Sequence, residues 1–273
     1  MRRFRESLCA LGIVAALFAS AVVGTAQTAP PDEKEWFQAF LKWAPLLPAD
    51  VPAVRIEPMY KDVLRSHGLT VTAIDRRWTA IQKQQRQSEE WLRMSTNRNY
   101  AQGWYDGKPP SKFLVEWATG KKPGSALDCG MGAGRNSVFL ASLGWDVTGM
   151  DISDTAVEKA NALAAKNGVK IKTVRGSFRD FAWGKDRWDL ILNIDSWDGE
   201  GERPSTFAAA PLYEALRVGG ILYIESHLPT LQALDMPLLK SFAGFHVLEH
   251  ALKPDPDWQG RYKNGVLVFV AKR

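Results

Sequence analysis

The chain has 273 residues, 45% hydrophobic and 24% charged, the proportions of an ordinary soluble globular protein, which excludes collagenous, disordered and polytopic membrane chains. The formal net charge of +5 includes Arg2, Arg3 and Arg5 at the amino end, and so small and dispersed an excess does not point to nucleic acid as a partner. The two cysteines, Cys9 and Cys129, exclude a disulfide scaffold.

In chain order, Met1 to Ser7 is a short basic stretch, Leu8 to Val23 an apolar run, and Gly24-Thr25-Ala26 supplies small residues at an export cleavage site. This predicts a signal peptide over residues 1–26, cleaved after Ala26, and a periplasmic or secreted mature chain. The alternative is an uncleaved membrane anchor, for which the run is short against the roughly 20 residues of a span. Contact with a membrane is expected only through this segment.

Residues 27–110 read as a helical N-terminal extension. Trp36, Phe37, Phe40 and Trp43 recur at helical spacing over Glu33 to Trp43, the pattern of a core-facing stripe. Pro45, Pro48, Pro52 and Pro58 are expected to interrupt regular structure. A helix is then expected over Met59 to Ser66, and Thr72 with Asp75 resembles a capping box. Val71, Ile74, Trp78 and Ile81 continue an apolar stripe.

Residues 111–273 alternate strands with helices. Strands are expected at Ser125 to Cys129, Trp145 to Met150, Lys170 to Arg175, Trp188 to Ile194 and Ile221 to Glu225, with a last pair at Gly244 to Leu252 and Gly265 to Lys272. Helices are expected at Arg135 to Leu143, Asp154 to Asn167 and Phe207 to Leu216, with Gly219-Gly220 a turn before the fifth strand. The alternation predicts an α/β fold, a doubly wound and mostly parallel sheet with helices on both faces.

The chemistry concentrates in Leu127-Asp128-Cys129-Gly130-Met131-Gly132-Ala133-Gly134-Arg135-Asn136-Ser137. Three alternating glycines between an apolar strand and a helix let a ligand approach the backbone, and the helix start presents unpaired N–H groups. Asp151, at the end of the next strand, is placed to accept hydrogen bonds from both hydroxyls of a ribose. Two cofactor classes share this arrangement. The spacing G-x-G-x-G, with Asp128 just before it, favours S-adenosylmethionine over a nicotinamide dinucleotide, because a carboxylate repels a phosphate and attracts an ammonium group.

The stretch LDCGMGAGRNSVFLASLGWDVTGMD resembles the first motifs of class I S-adenosylmethionine-dependent methyltransferases. Within it, GRNS followed by GWDVTGMD is similar to the tellurite-resistance and thiopurine methyltransferase-like branch. The resemblance covers about Phe113 to Arg273 and implies a Rossmann-like, seven-stranded sheet ending in an antiparallel hairpin. It also implies that Gly130, Gly132 and Gly134 lie against the methionine part of the cofactor, that Asp151 binds the ribose, and that Ile152 flanks the adenine. In Arg175-Gly176-Ser177-Phe178-Arg179-Asp180 the family's acidic adenine ligand is replaced by Ser177; serine can accept the same bond without charge, Asp180 is the alternative acceptor, and the backbone of Phe178 is a further contact.

Beyond the fourth strand, Asn193 and Asp195 are candidates for contacts near the transferred methyl, since ligands bind outside the carboxyl ends of such strands. Asp195 is expected to act as a general base or to orient the nucleophile; a loop aspartate serving only local hydrogen bonds is the plainer alternative. His227, just past the fifth strand, is a second catalytic candidate, and Tyr100, Trp104 and Trp197 are candidates for lining a pocket for a small-molecule substrate. His246-Val247-Leu248-Glu249-His250 matches a zinc-protease pattern that works only on a helix. On the expected strand its imidazoles lie about 13 Å apart, so no metal site is expected. O-, N- and S-methylation, or transfer to selenium or tellurium, all stay open, as does a fold retained for binding without turnover.

Overall fold

A computed structural model describes residues 32–104, 106–196, 209–227, 242–254 and 265–273. The apolar run Leu8 to Val23, Trp197 and the first residues of the helix expected from Phe207 lie outside the described residues. Among those described, no helix is long and apolar enough to cross a membrane. Contacts divide the chain into two compact units, with the boundary between Trp91 and Leu92.

The first unit is built on helices α1 (Glu33–Trp43), α2 (Ala53–Ser66) and α3 (Val71–Gln85), and α4 (Glu89–Ala101) begins within it. Its core is aromatic. Phe40 is completely buried, with ring centroids 5.1 Å from Tyr60, 5.6 Å from Trp78 and 5.0 Å from Trp91. Burial pushes the Tyr60 phenol up to about 12, as expected where the charged form has no water.

Two local expectations need correction here. Helix α2 starts at Ala53 rather than Met59, with Pro52 as its cap and Pro58 inside it. Ile56, Tyr60 and Leu64 form one buried stripe across Pro58, and the proline removes one backbone bond on an exposed side of the helix, so packing outweighs the break. Thr70, not Thr72, caps α3, its hydroxyl accepting from the Ala73 N–H at 3.3 Å.

The second unit holds a seven-stranded sheet in the order β3-β2-β1-β4-β5-β7-β6. The strands are β1 (Ser125–Cys129), β2 (Asp146–Asp151), β3 (Lys172–Arg175), β4 (Trp188–Ile194), β5 (Leu216–His227), β6 (His246–Lys253) and β7 (Val266–Lys272). β1 to β5 are parallel, and β7 runs antiparallel between β5 and β6. The helices of this unit are α5 (Lys112–Ala118), α6 (Arg135–Ser142), α7 (Asp154–Lys166) and α8 (Ala209–Ala215).

The sheet is buried on both faces, which explains why β4 and β7 are almost wholly apolar. Leu127, Cys129, Ile191, Leu222 and Ile224 pack on one face, and Leu190, Leu192, Ile194 and Tyr223 on the other. β5 is longer than expected: Gly219 and Gly220 lie within it rather than before it, where the pairing with β4 shifts register between Trp188 and Leu190. The left-handed Gly219, φ +83°, lets the strand absorb that irregularity without ending. The stretch His246 to His250 lies on β6, so the helical geometry of the zinc pattern is not formed.

Candidate functional site at the carboxyl ends of the strands

The parallel order reverses at β1, with β2 on one side and β4 on the other, and the ends of these strands are where an open α/β sheet presents its ligand crevice. The glycine loop leaves β1 here. The N–H groups of Gly130 and Met131 both donate to the Met150 carbonyl at 2.9 Å, and that of Gly134 donates to the Met131 carbonyl at 3.0 Å. All three glycines have positive φ, at 73°, 56° and 84°, a conformation costly for other residues.

What lies against each glycine differs. A side chain at Gly130 would collide with Ser196, one at Gly132 with the Tyr100 hydroxyl, and one at Gly134 with Ala160 of α7, its Cα only 2.9 Å from the added atom. Gly134 therefore serves helix packing, whereas Gly130 and Gly132 bring two hydroxyl-bearing residues onto the loop. Ser196 donates to the Cys129 carbonyl at 2.7 Å.

Asp151 ends β2 buried. One carboxylate oxygen accepts from the Gly132 N–H and the other from the Ser153 N–H, both at 2.9 Å. Burial raises its affinity for a proton and these backbone donors oppose that. A carboxylate offers about four acceptor positions, so capacity is left for a pair of hydroxyls. Ile152, half-buried, follows it directly.

Asp128 is also buried, but its carboxylate accepts from the Ser137 hydroxyl of α6 at 2.6 Å. Burial pushes it up to about 6, against the pull of that hydroxyl. It braces the loop from beneath.

On β4, Asn193 is fully buried and pairs in register with Cys129 and Ile224. Among the described residues it has no hydrogen-bond partner at either amide atom. Leaving such a group unpaired costs about 1–3 kcal/mol, so a buried amide at this edge fits a ligand that supplies both an acceptor and a donor. Together with the spare capacity of Asp151, it makes the residues present a fit for a nucleoside cofactor.

Asp195 follows β4 in the left-handed region, φ +57°, which aspartate tolerates better than most residues. Its carboxylate lies 3.7 Å from the Arg135 guanidinium, which also donates to the Pro109 carbonyl at 3.1 Å. Nearby, buried Glu225 accepts from Ser111 at 2.6 Å and Tyr223 at 2.5 Å. Burial favours its protonated form, with the two hydroxyls opposing.

The remaining candidates separate. Ser177 donates to Asp180 at 3.2 Å, so the serine and the alternative acceptor lie side by side, and Phe178 packs against the core face that holds Cys129. Tyr100 is buried against the loop, whereas Trp104 is 51% exposed. The backbone of His227 closes β5 opposite Val266. Sequence reasoning missed Asn97, Ser196 and Glu225. Asn97 sits in α4 without a motif, and its side-chain oxygen accepts from the Ser153 hydroxyl at 2.6 Å and the Thr155 N–H at 3.3 Å.

Comparison with known proteins agrees with this geometry. Residues 126–220 match the family described as a methyltransferase domain. The ribosomal RNA small subunit methyltransferase C of Alcanivorax borkumensis is 34% identical over 121 residues, 42% of this chain and 36% of that protein. The ubiquinone biosynthesis O-methyltransferase of Mesorhizobium japonicum is 29% identical over 113 residues, 41% and 45% of the two chains. The chain thus spans less than half the length of these relatives. In fold, it is similar to TehB from Haemophilus influenzae, with TM-score 0.51 and 21% identity over 65% of this chain and 67% of that one. A TehB-like S-adenosylmethionine-dependent methyltransferase from Corynebacterium glutamicum gives 0.50 and 21% over 65% and 97%. Residues 126–220 are thus similar to a methyltransferase domain, and the second unit has the Rossmann-like fold of S-adenosylmethionine-dependent methyltransferases.

Proposed function

We propose that this chain transfers a methyl group from S-adenosylmethionine to a small-molecule nucleophile, and that it does so after export. The observation that carries the reading is Asn193, a fully buried amide with both polar atoms unpartnered among the described residues, beside a braced glycine loop. When bound, S-adenosylmethionine supplies an electrophilic methyl on a sulfonium centre. Asp151 would hold the ribose, the backbone of the glycine loop would lie along the amino-acid portion, and Asn193 would fix the end nearest β4. Asp195, held by Arg135, would orient the acceptor, and positioning would supply most of the rate.

A small acceptor is supported by relatives named for ubiquinone biosynthesis and for a heptyl-hydroxyquinolinone. The relative named for ribosomal RNA makes a structured RNA the necessary counter-test. Export is supported by the basic and apolar order of residues 1–26, and its check is the first residue of the protein recovered from cells: Gln27 for cleavage, Met1 against it.

Titration calorimetry with S-adenosylmethionine is the first test. Binding is expected, and no heat up to about millimolar ligand, a free energy of about 4 kcal/mol, would contradict the reading. Methyl transfer to a panel of thiols, amines and phenols is the second. A binding module without turnover is the other reading, favoured by Ser177 in place of an acid; binding with no transfer to any of the panel or to RNA would select it.

A further inference from the structure

The helical unit holds polar groups that neither its packing nor the cofactor reading uses. Trp36, Arg77, Trp78 and Gln85 each bury a side-chain nitrogen, Nε1, Nε, Nε1 and Nε2 in turn, with no hydrogen-bond acceptor among the described residues. All of these atoms are donors. Among the described residues of the unit, no buried side-chain oxygen is left in the same condition. Buried polar groups are ordinarily paired and an orphan costs stability, so a one-sided surplus of donors calls for a partner that only accepts. Gln85 lies two turns beyond Trp78 on α3, about 10 Å along the axis, and is set apart from the other three.

Those three gather between α1, α2 and α3. The Arg77 guanidinium lies over the Trp36 ring, 5.1 Å from its centroid, and both side chains are half-buried. Trp78, next in α3, is deeper at 5% exposed, and the Tyr60 ring lies 6.4 Å from it. Burial lowers the proton affinity of Arg77, and the group that opposes this is the Tyr60 phenol. No carboxylate among the described residues pairs with Arg77. The neighbouring acids Glu57 and Asp75 are taken by Lys61, at 2.9 and 3.6 Å. Arg77 is therefore a partly desolvated cation that lacks a counter-charge among the described residues, with two indole N–H groups beside it. A guanidinium fork matches the geometry of a carboxylate or a phosphate, and such an oxyanion accepts without donating. We propose that Trp36, Arg77 and Trp78 form a binding site for an oxyanion, the carboxylate or phosphate group of a small ligand, with Arg77 as the charged fork and the two indoles as single donors. The site is independent of the cofactor reading.

The test follows the indole N–H resonances of Trp36 and Trp78 in the full-length chain, assigned with Trp36→Phe and Trp78→Phe. Inorganic phosphate and benzoate are titrated separately at constant ionic strength, with chloride as the control. Both resonances should shift downfield and saturate at about millimolar anion, while chloride leaves them in place. Saturation with phosphate alone would assign a phosphate-bearing ligand, and with benzoate alone a carboxylate-bearing one. Arg77→Lys keeps the charge but loses the fork, and should weaken binding about tenfold; Arg77→Met should abolish it. Absence of a saturable shift at either indole up to about 0.1 M of both anions, or shifts that chloride reproduces, would overturn the site, because water would then serve the donors. Saturation that Arg77→Lys leaves intact would place the anion elsewhere and overturn it too.

Discussion

At the β1–β2 side of the carboxyl edge, polar groups are braced by protein: Asp128 by Ser137, Asp151 by two backbone N–H groups, and the loop amides by Met150 and Met131. At the β4 side, Asn193 is equally buried and has neither of its amide atoms paired among the described residues. The first arrangement fixes geometry before any ligand arrives, as a site must if it is to hold its parts in place. The second keeps polar capacity for something outside the fold, at a cost to stability. A cofactor site needs both, and the contrast between them can be broken experimentally.

The largest effect is expected on the braced side. Gly134→Ala combines a left-handed backbone with a collision against the backbone of α7 at Ala160, where no flexible side chain can yield. It should lower unfolding free energy by about 2–4 kcal/mol, read as a shift in the urea midpoint. A loss below about 1 kcal/mol would mean that α7 is free to move and that the brace is weaker than described.

A comparable effect should follow pH. The Asp128 carboxyl is raised from 3.8 to about 6, so the folded state binds a proton more tightly than the unfolded chain. Its contribution is fully present below about pH 4 and is lost as pH rises through about 6. Two units correspond to about 3 kcal/mol. Asp128→Asn should remove this part of the pH dependence in denaturation curves taken between pH 4 and 7. A slope of the same sign from Asp151 and Glu225, shifted in the same direction by burial, should remain. An unaltered slope would place the titration elsewhere.

The smallest effect belongs to the helical unit, which takes no part in the contrast. Thr70→Ala removes the cap of α3 and should cost about 1 kcal/mol, with cofactor affinity unchanged by calorimetry. A change in affinity would tie the helical unit to the site.

The strands of the sheet unit were legible in the sequence because burial on both faces writes itself as continuous apolar runs, and β4 is the clearest case. The glycine loop was legible because its left-handed backbone restricts residue type, and the place of Asp151 was legible because it ends an apolar strand. Helix α2 was not, since a single proline reads as a break and only the buried stripe of Ile56, Tyr60 and Leu64 reveals continuity. Nor was Asn97, whose partners Ser153 and Thr155 lie more than fifty positions away, beyond any local period. Asp128 was legible as a member of the motif, but not its direction: its identity suggested a ligand, while its rotamer turns it to Ser137.

The most direct test of the account is the substitution Asn193→Leu, measured for stability and for S-adenosylmethionine affinity in the same preparation. Replacing an unpaired buried amide by an apolar group of similar size should raise unfolding free energy by about 1 kcal/mol, while affinity for S-adenosylmethionine falls about tenfold or more. Opposite signs are the signature of a residue kept for a ligand at the expense of the fold. A loss of stability with affinity unchanged would contradict the account, because Asn193 would then belong to the structure and not to the site.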